Sequence, residues 1–101
     1  MAAIRSHTDL DVWKLSMEIV DDLYNITDAF PASEKFGLTS QLRRAGVSIT
    51  SNIAEGAGRF HVKEFIHFLY ISRGSLAEVE TQLEIARRRG YIKSIEPQIN
   101  T

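Results

Sequence analysis

Apolar residues recur at steps of three and four along three stretches of this chain, a spacing that is typical of amphipathic helices. The stretches cover about residues 9–30, 34–56 and 62–89. Pro31 ends the first, because a residue that precedes proline disfavours the helical conformation. Gly90 follows the third and suits the end of a helix. The sequence therefore predicts an all-α fold, an antiparallel up-down helix bundle with three long helices.

The first and third predicted helices have more apolar surface than one neighbouring helix covers. The first helix carries a second apolar stripe beside its main one, formed by Trp13, Met17, Val20 and Tyr24. The third helix has a regular apolar seam, and Ile66, Phe68 and Tyr70 lie outside it. Because large exposed apolar patches are rare on monomers, these seven residues are candidates for the interface of a homo-oligomer.

Polar side chains crowd the packing face of the second predicted helix, where a core helix would carry leucine or alanine. A buried amide without a partner costs on the order of 1–3 kcal/mol, so Asn52 needs hydrogen-bond partners nearby. Serines of its own helix and of the third helix, Ser72 or Ser75, can supply them. A single asparagine fixes the register of a coiled coil in this way. We expect a structural polar seam that comprises Ser48, Asn52, Glu55 and Ser72.

Ser94 and Pro97 have the pattern of a further helix that begins near residue 95. The sequence stops before such a helix is complete, so we expect the fourth helix of the bundle to be truncated or missing. Either further residues or copies of the same chain would then cover the wide apolar faces. The length of 101 residues fits one helical-bundle domain, residues 1–101.

The composition is that of a globular protein, with 44% apolar and 25% charged residues. No apolar run approaches the roughly 18–20 residues that span a bilayer, and the N-terminus lacks the apolar core of a signal peptide. The chain has no cysteine, which excludes disulfides, a thiolate nucleophile and cysteine-based zinc sites. We expect a cytoplasmic protein without membrane contacts.

Charge is distributed unevenly along the chain, although the net charge is only −1. Residues 1–34 carry seven acidic and two basic side chains, whereas residues 35–93 carry ten basic and five acidic ones. Two interpretations stay open: complementary charge between packed helices, or a basic face that binds nucleic acid. The cations available to such a face are Arg43, Arg44, Arg59, Lys63, Arg73, Arg87, Arg88 and Arg89.

The sequence makes a poor case for an enzyme. Glu64 and His67 form a Glu-x-x-His pair of the kind that ligates metal in di-metal carboxylate bundles. Such a site needs a second copy of the pair, which the sequence lacks, and His67 falls on the side opposite to the seam. No serine has a histidine and an aspartate arranged to activate it. We predict no catalytic residue, no metal ligand and no cofactor.

Several runs of the sequence resemble the four-helix-bundle family of proteins encoded in intervening sequences of bacterial 23S rRNA genes. The matching runs are Asp9–Lys14, Glu34–Arg44, Ser48–Gly56, Lys63–Leu69 and Gly74–Glu80. They follow the order of the family's motifs. The resemblance implies an antiparallel four-helix protomer that assembles into a ring-like homopentamer. The chain departs from the family pattern in its net charge, its fourth helix and His61, which stands where the family has a serine or threonine cap.

This family is similar to the accessory variability proteins of diversity-generating retroelements, which bind nucleic acid and a reverse transcriptase. The resemblance therefore implies a non-enzymatic, nucleic-acid-associated assembly or scaffold protein. Its partners would be copies of itself and RNA or DNA. The main alternative is a protein-binding adaptor without nucleic-acid affinity, with Phe60, Phe68 or Tyr70 at the contact. A di-metal carboxylate enzyme is the weakest of the alternatives.

Overall fold

The computed structural model describes residues 6–93, and this part of the chain contains three α-helices and no strand. Helix α1 is Asp11–Thr27, α2 is Leu38–Ala57 and α3 is Val62–Arg88. Short 3-10 turns at His7–Asp9 and Ala32–Glu34 precede α1 and α2. The predicted all-helical class is confirmed. The predicted start of a fourth helix near residue 95 lies outside the described residues.

Helix α2 lies against both other helices and runs antiparallel to each of them. Leu23 of α1 lies against Gly46, and Thr27, one turn later, contacts Arg43, one turn earlier in α2. On the other side, α3 follows α2 in reverse after a short turn at residues 58–61. No Cα atom of α1 lies within 8 Å of one in α3. Helix α2 therefore holds the two outer helices together.

One apolar core joins all three helices. Leu23, Leu42, Val79 and Leu83 are completely buried at its centre. The other buried apolar residues are Ile19, Phe30, Leu38, Ala45, Ile49, Ile53 and Ala86. Each fully buried aliphatic side chain contributes about 1.5–3 kcal/mol relative to an exposed one.

Helix α1 is shorter than the predicted stretch of residues 9–30. It begins at Asp11 because Ser6 and Asp9 form a capping box around the preceding 3-10 turn instead of capping α1. It ends at Thr27, whose hydroxyl donates to the carbonyl of Leu23 at 2.7 Å. Phe30 follows in a turn and inserts its ring into the core. Its apolar character therefore marks the core and not a continuation of the helix.

Helix α2 begins at Leu38, four residues after the predicted start at residue 34. The Glu34 carboxylate accepts a hydrogen bond from the Leu38 N–H at 3.0 Å, so Glu34 caps the helix and does not belong to it. Gly37 has φ −110° and ψ −113°, which is not helical. The end at Ala57 and the bounds of α3 lie within one residue of the predicted positions.

Glu34 also joins the start of α2 to the segment that follows α3. Its second carboxylate oxygen accepts a hydrogen bond from the Tyr91 hydroxyl at 2.9 Å, and the Tyr91 ring lies 5.3 Å from that of Phe30. The pKa of Glu34 is lowered below its ordinary 4.5, mainly by the hydrogen bond from the Leu38 N–H and next by that from the Tyr91 hydroxyl. Partial burial raises this pKa, and the nearby charge of Arg89 lowers it further. The deprotonated form of Glu34 is thus favoured by the fold.

Close approach between α2 and α3 requires a glycine near the turn. A Cβ atom built on Gly56 would lie 2.8 Å from the Cβ of Phe68 and 3.3 Å from the carbonyl oxygen of Phe65. Neither atom is the flexible end of a side chain, so α3 itself would have to move. A Cβ atom built on Gly74, in the middle of α3, would have no atom within 4 Å apart from its chain neighbours and the backbone of its own helix.

We therefore expect opposite effects from alanine at the two glycines. Gly56→Ala lowers the free energy of unfolding by about 1–3 kcal/mol, because it overpacks the contact between α2 and α3. Gly74→Ala raises it by about 1 kcal/mol, because alanine favours an exposed helix interior. Urea unfolding of both variants tests this, and equal effects of the two substitutions would contradict the close approach.

Tyr91→Phe should move the pKa of Glu34 back toward 4.5, because one hydrogen-bond donor to the carboxylate is lost. A lowered folded-state pKa stabilises the fold above the unfolded-state value, and this contribution disappears as the pH falls through the folded-state value. The stability difference between variant and wild type is therefore present at neutral pH and vanishes in acid. Carboxyl titration by NMR measures the shift. Tyr70→Phe, at an exposed tyrosine, is the control and leaves Glu34 unchanged.

Candidate functional site

Hydroxyl groups join α2 and α3 along the polar seam. The Ser48 and Ser75 hydroxyls share a hydrogen bond of 2.9 Å, and the Ser72 hydroxyl donates to the carbonyl of Ile49 at 2.9 Å. Asn52 donates to the carbonyl and the hydroxyl of Ser48 at 2.8 and 3.1 Å, within α2. The serines therefore make the contact between the helices, while Asn52 orients Ser48.

Two details of this seam differ from a simple reading of the sequence. Glu55 is exposed, and its carboxylate lies 4.0 Å from the Arg59 guanidinium at the helix end. Ser75, which the sequence indicates as a possible partner on the third helix but which lies outside the predicted four-residue seam, bonds directly to Ser48. Its position one turn after Ser72, on the same side of α3, is the signal that indicates it.

Three of the eight candidate cations donate hydrogen bonds to other side chains of the protein. Arg43 donates to the Thr27 hydroxyl at 2.8 Å and to the Asp28 carboxylate at 3.0 Å. Arg87 and Arg88 share the Glu84 carboxylate at 2.7 and 3.0 Å. The hydrogen bonds from Arg87 and then Arg88 lower the pKa of Glu84 to about 2. These arginines have part of their charge compensated.

The remaining cations are more available but are spread over the molecule. The Arg59 guanidinium lies 5.2 Å from the centre of the Phe68 ring. Among the described side chains, no carboxylate lies within 4.0 Å of the other four, which are Arg44, Lys63, Arg73 and Arg89. Lys63 and Arg89 stand at opposite ends of α3, about 39 Å apart at ~1.5 Å per residue. The eight cations therefore do not form one patch.

An open groove runs along the outer face of the first half of α2. It encloses about 740 Å³ and contains cationic, aromatic and hydroxyl side chains. The residues that line this α2 groove are Tyr24, Lys35, Phe36, Thr39, Ser40, Arg43, Arg44, Val47 and Ser48. The groove brings Arg43 and Arg44 together with Lys35 and two aromatic rings.

Sequence reasoning missed Lys35 and Phe36 as site residues. Phe36 is 89% exposed, which is unusual for a phenylalanine. Phe36 stands two residues before α2, and Ser40, Arg44 and Val47 follow it at steps of four, four and three on the side of α2 away from the core. An aromatic residue on the polar stripe of a helix was the available signal.

The predicted interface residues of α1 are largely covered by the chain itself. Val20 lies beside Gly46, Met17 is half-buried, and Trp13 packs against the core with the His7 ring 5.1 Å away. Tyr24 lines the α2 groove. On the main stripe of α1, Val12 and Leu15 are exposed instead. The neighbouring α2 thus covers much of the second stripe.

On α3, Ile66 and Tyr70 are exposed, whereas Phe68 is half-buried between Gly56 and Arg59. Because α1 and α3 both run antiparallel to α2, both begin at the end of the molecule that carries the turn at residues 58–61. We call this the turn end. Both helices expose apolar side chains in their first halves, toward this end, and we call these residues together the apolar turn-end surface: Val12 and Leu15 on α1, and Val62, Ile66 and Tyr70 on α3.

The family model for 23S rRNA-intervening sequence proteins matches residues 8–99, nearly the whole chain. The chain belongs to this family. The resemblance read from the motifs is thereby confirmed. A comparison with curated proteins gives no match.

In this 23S rRNA-intervening sequence protein, Glu64 and His67 both lie exposed on α3. Residues 6–93 contain no group of three or more histidine, cysteine or acidic side chains that could hold a metal ion. Every helix in the same range is too short or too polar to cross a bilayer.

Proposed function

We propose that this family member is a non-enzymatic scaffold that assembles with copies of itself and associates with RNA or DNA. The observation that supports assembly best is the apolar turn-end surface. Five large apolar side chains are exposed in the first halves of α1 and α3, toward the turn end. Apolar patches of this kind mark interaction sites, because their burial is favourable by about 25 cal/mol for each Å².

A ring-like homopentamer is the assembly that the family resemblance implies, and we adopt it as the proposed state. The family resemblance also implies a fourth helix in each protomer, and such a helix is the alternative cover for the turn-end surface. An experiment on the oligomeric state separates the two.

We expect the purified protein to elute as a homo-oligomer, with a mass near five protomers by size exclusion with light scattering. Ile66→Asn reduces that mass, because it places an amide in the apolar turn-end surface. Ile85→Asn is the matched control, since Ile66 and Ile85 are 46% and 44% exposed but Ile85 lies near the other end of α3. Circular dichroism confirms that both variants fold. A wild-type protein that remains monomeric at micromolar concentration would overturn the proposed assembly.

The α2 groove supports the association with nucleic acid, because it collects positive charge on the surface of a chain whose net charge is −1. Phosphate contacts need positive potential and no particular motif.

We expect RNA and DNA to bind the wild-type protein with an affinity that falls as salt rises, because counterions are released from the phosphates. Fluorescence anisotropy with labelled single- and double-stranded RNA and DNA, at about 50 mM and about 200 mM salt, measures this. No binding to any of the four probes at the lower salt concentration would leave a scaffold without nucleic-acid affinity.

The absence of nucleic-acid binding would favour the alternative function, a protein-binding adaptor. Phe60 in the turn between α2 and α3 is 98% exposed, and Tyr70 is exposed nearby on α3. Aromatic residues are enriched at the energetic centres of protein interfaces.

A further inference from the structure

Building on the proposed association with nucleic acid, we propose that the α2 groove binds single-stranded RNA or DNA. Lys35 and Arg44 contact the phosphates, and the rings of Phe36 and Tyr24 stack on unpaired bases. Single-strand binding proteins combine a cationic groove with aromatic side chains in this way.

The free positive charge in the groove comes from two residues. Arg43 is neutralised by Asp28 and held by Thr27, so it is fixed in place. In the described structure, neither Arg44 nor Lys35 has a carboxylate within 4.0 Å. Both side chains line the groove. The Lys35 ammonium also lies 5.4 Å from the centre of the Phe36 ring, which does not neutralise it, so both cations can pair with phosphate.

The aromatic rings at the groove give it affinity for bases. Phe36 is 89% exposed, with the Lys35 ammonium near its ring, so most of the ring surface is available for stacking. Arg43 lies 4.5 Å from the centre of the Tyr24 ring, which fixes that ring beside the groove. Tyr24 itself remains 41% exposed. Stacking on each ring accepts any base, because every base has a π-face.

The same rings favour a single strand over a duplex. Bases in a duplex are stacked on one another and hide their faces, whereas unpaired bases can be splayed onto aromatic side chains. The groove is also open along α2, so an extended strand can lie in it.

The acidic surface of α1 limits where the strand can run. Asp21 precedes Tyr24 by about one turn of α1, and Asp28 follows it by about one turn. Asp28 is compensated by Arg43, but the charge of Asp21 repels phosphate. The backbone of a bound strand therefore follows α2, where Arg44 and Lys35 stand.

Two exposed side chains that do not line the groove provide matched controls. Phe60 lies in the turn between α2 and α3, and Arg73 stands on α3 with no described carboxylate within 4.0 Å. Phe36 and Phe60 are exposed to similar extents, at 89% and 98%. Arg44 and Arg73 are both exposed helical arginines.

The experiment compares Arg44→Gln and Phe36→Ala with Arg73→Gln and Phe60→Ala. Labelled oligo-U and oligo-dT of on the order of 12 nucleotides, and duplexes of the same length, are titrated by fluorescence anisotropy. Arg44→Gln should weaken single-strand binding and reduce its salt slope by about one. Phe36→Ala should weaken it roughly tenfold and leave duplex binding unchanged. Both control variants should stay within about twofold of the wild type, as expected for side chains outside the groove.

The outcomes separate this inference from the proposed function. If the wild type binds single strands but the groove variants behave like the controls, the groove is not the site, while the association with nucleic acid stands. If the wild type binds none of the probes, both the association with nucleic acid and the groove as its site are refuted, and only the proposed self-assembly stands. All four substitutions are at exposed positions, and unchanged melting curves verify that each variant is folded. The oligo-U and oligo-dT arms show whether RNA, DNA or both are bound.

Discussion

Helix α2 has to pack against α1 on one side and α3 on the other, and this double contact determines the residues along it. Small residues stand where the neighbours come closest, at Gly46 beside Leu23 and at Gly56 beside Phe68. Between them, Ile49 and Ile53 fill the core. Without α2 the outer helices would separate, because their backbones do not approach each other.

The same constraint divides the surface of the protein into regions with different chemistry. The side of α2 toward α3 carries Ser48, which bonds across the contact. Within residues 6–93, no other helix packs against the third side of α2, so Ser40 and Arg44 on that side are available for other contacts. The turn end has the opposite character, since Val12 and Ile66 expose apolar surface there. A charged groove and an apolar surface thus occur on one small helical chain.

The helical period of apolar residues was enough to predict the three helices, because the local spacing of apolar residues decides where a helix forms. The bounds of α3 were predicted best. The start of α2 could not be predicted, since Glu34 caps that helix and also accepts a bond from Tyr91, 57 residues away. The sequence could not show which apolar residues of α1 are covered, because that depends on where α2 packs: Ile19 and Leu23 are buried, while Val12 on the same stripe is exposed. Arg43 counted as a free cation in the sequence, yet Asp28, 15 residues earlier, binds it.

The hydrogen bond between Tyr91 and Glu34 also fixes the position of the residues that directly follow α3. It holds the residues after α3 against the start of α2, opposite the turn end. Helix α3 has 27 residues, so Lys93 stands about 40 Å from the turn end at ~1.5 Å per residue. A fluorophore attached at Lys93 would therefore report on the protein from a position remote from the apolar turn-end surface.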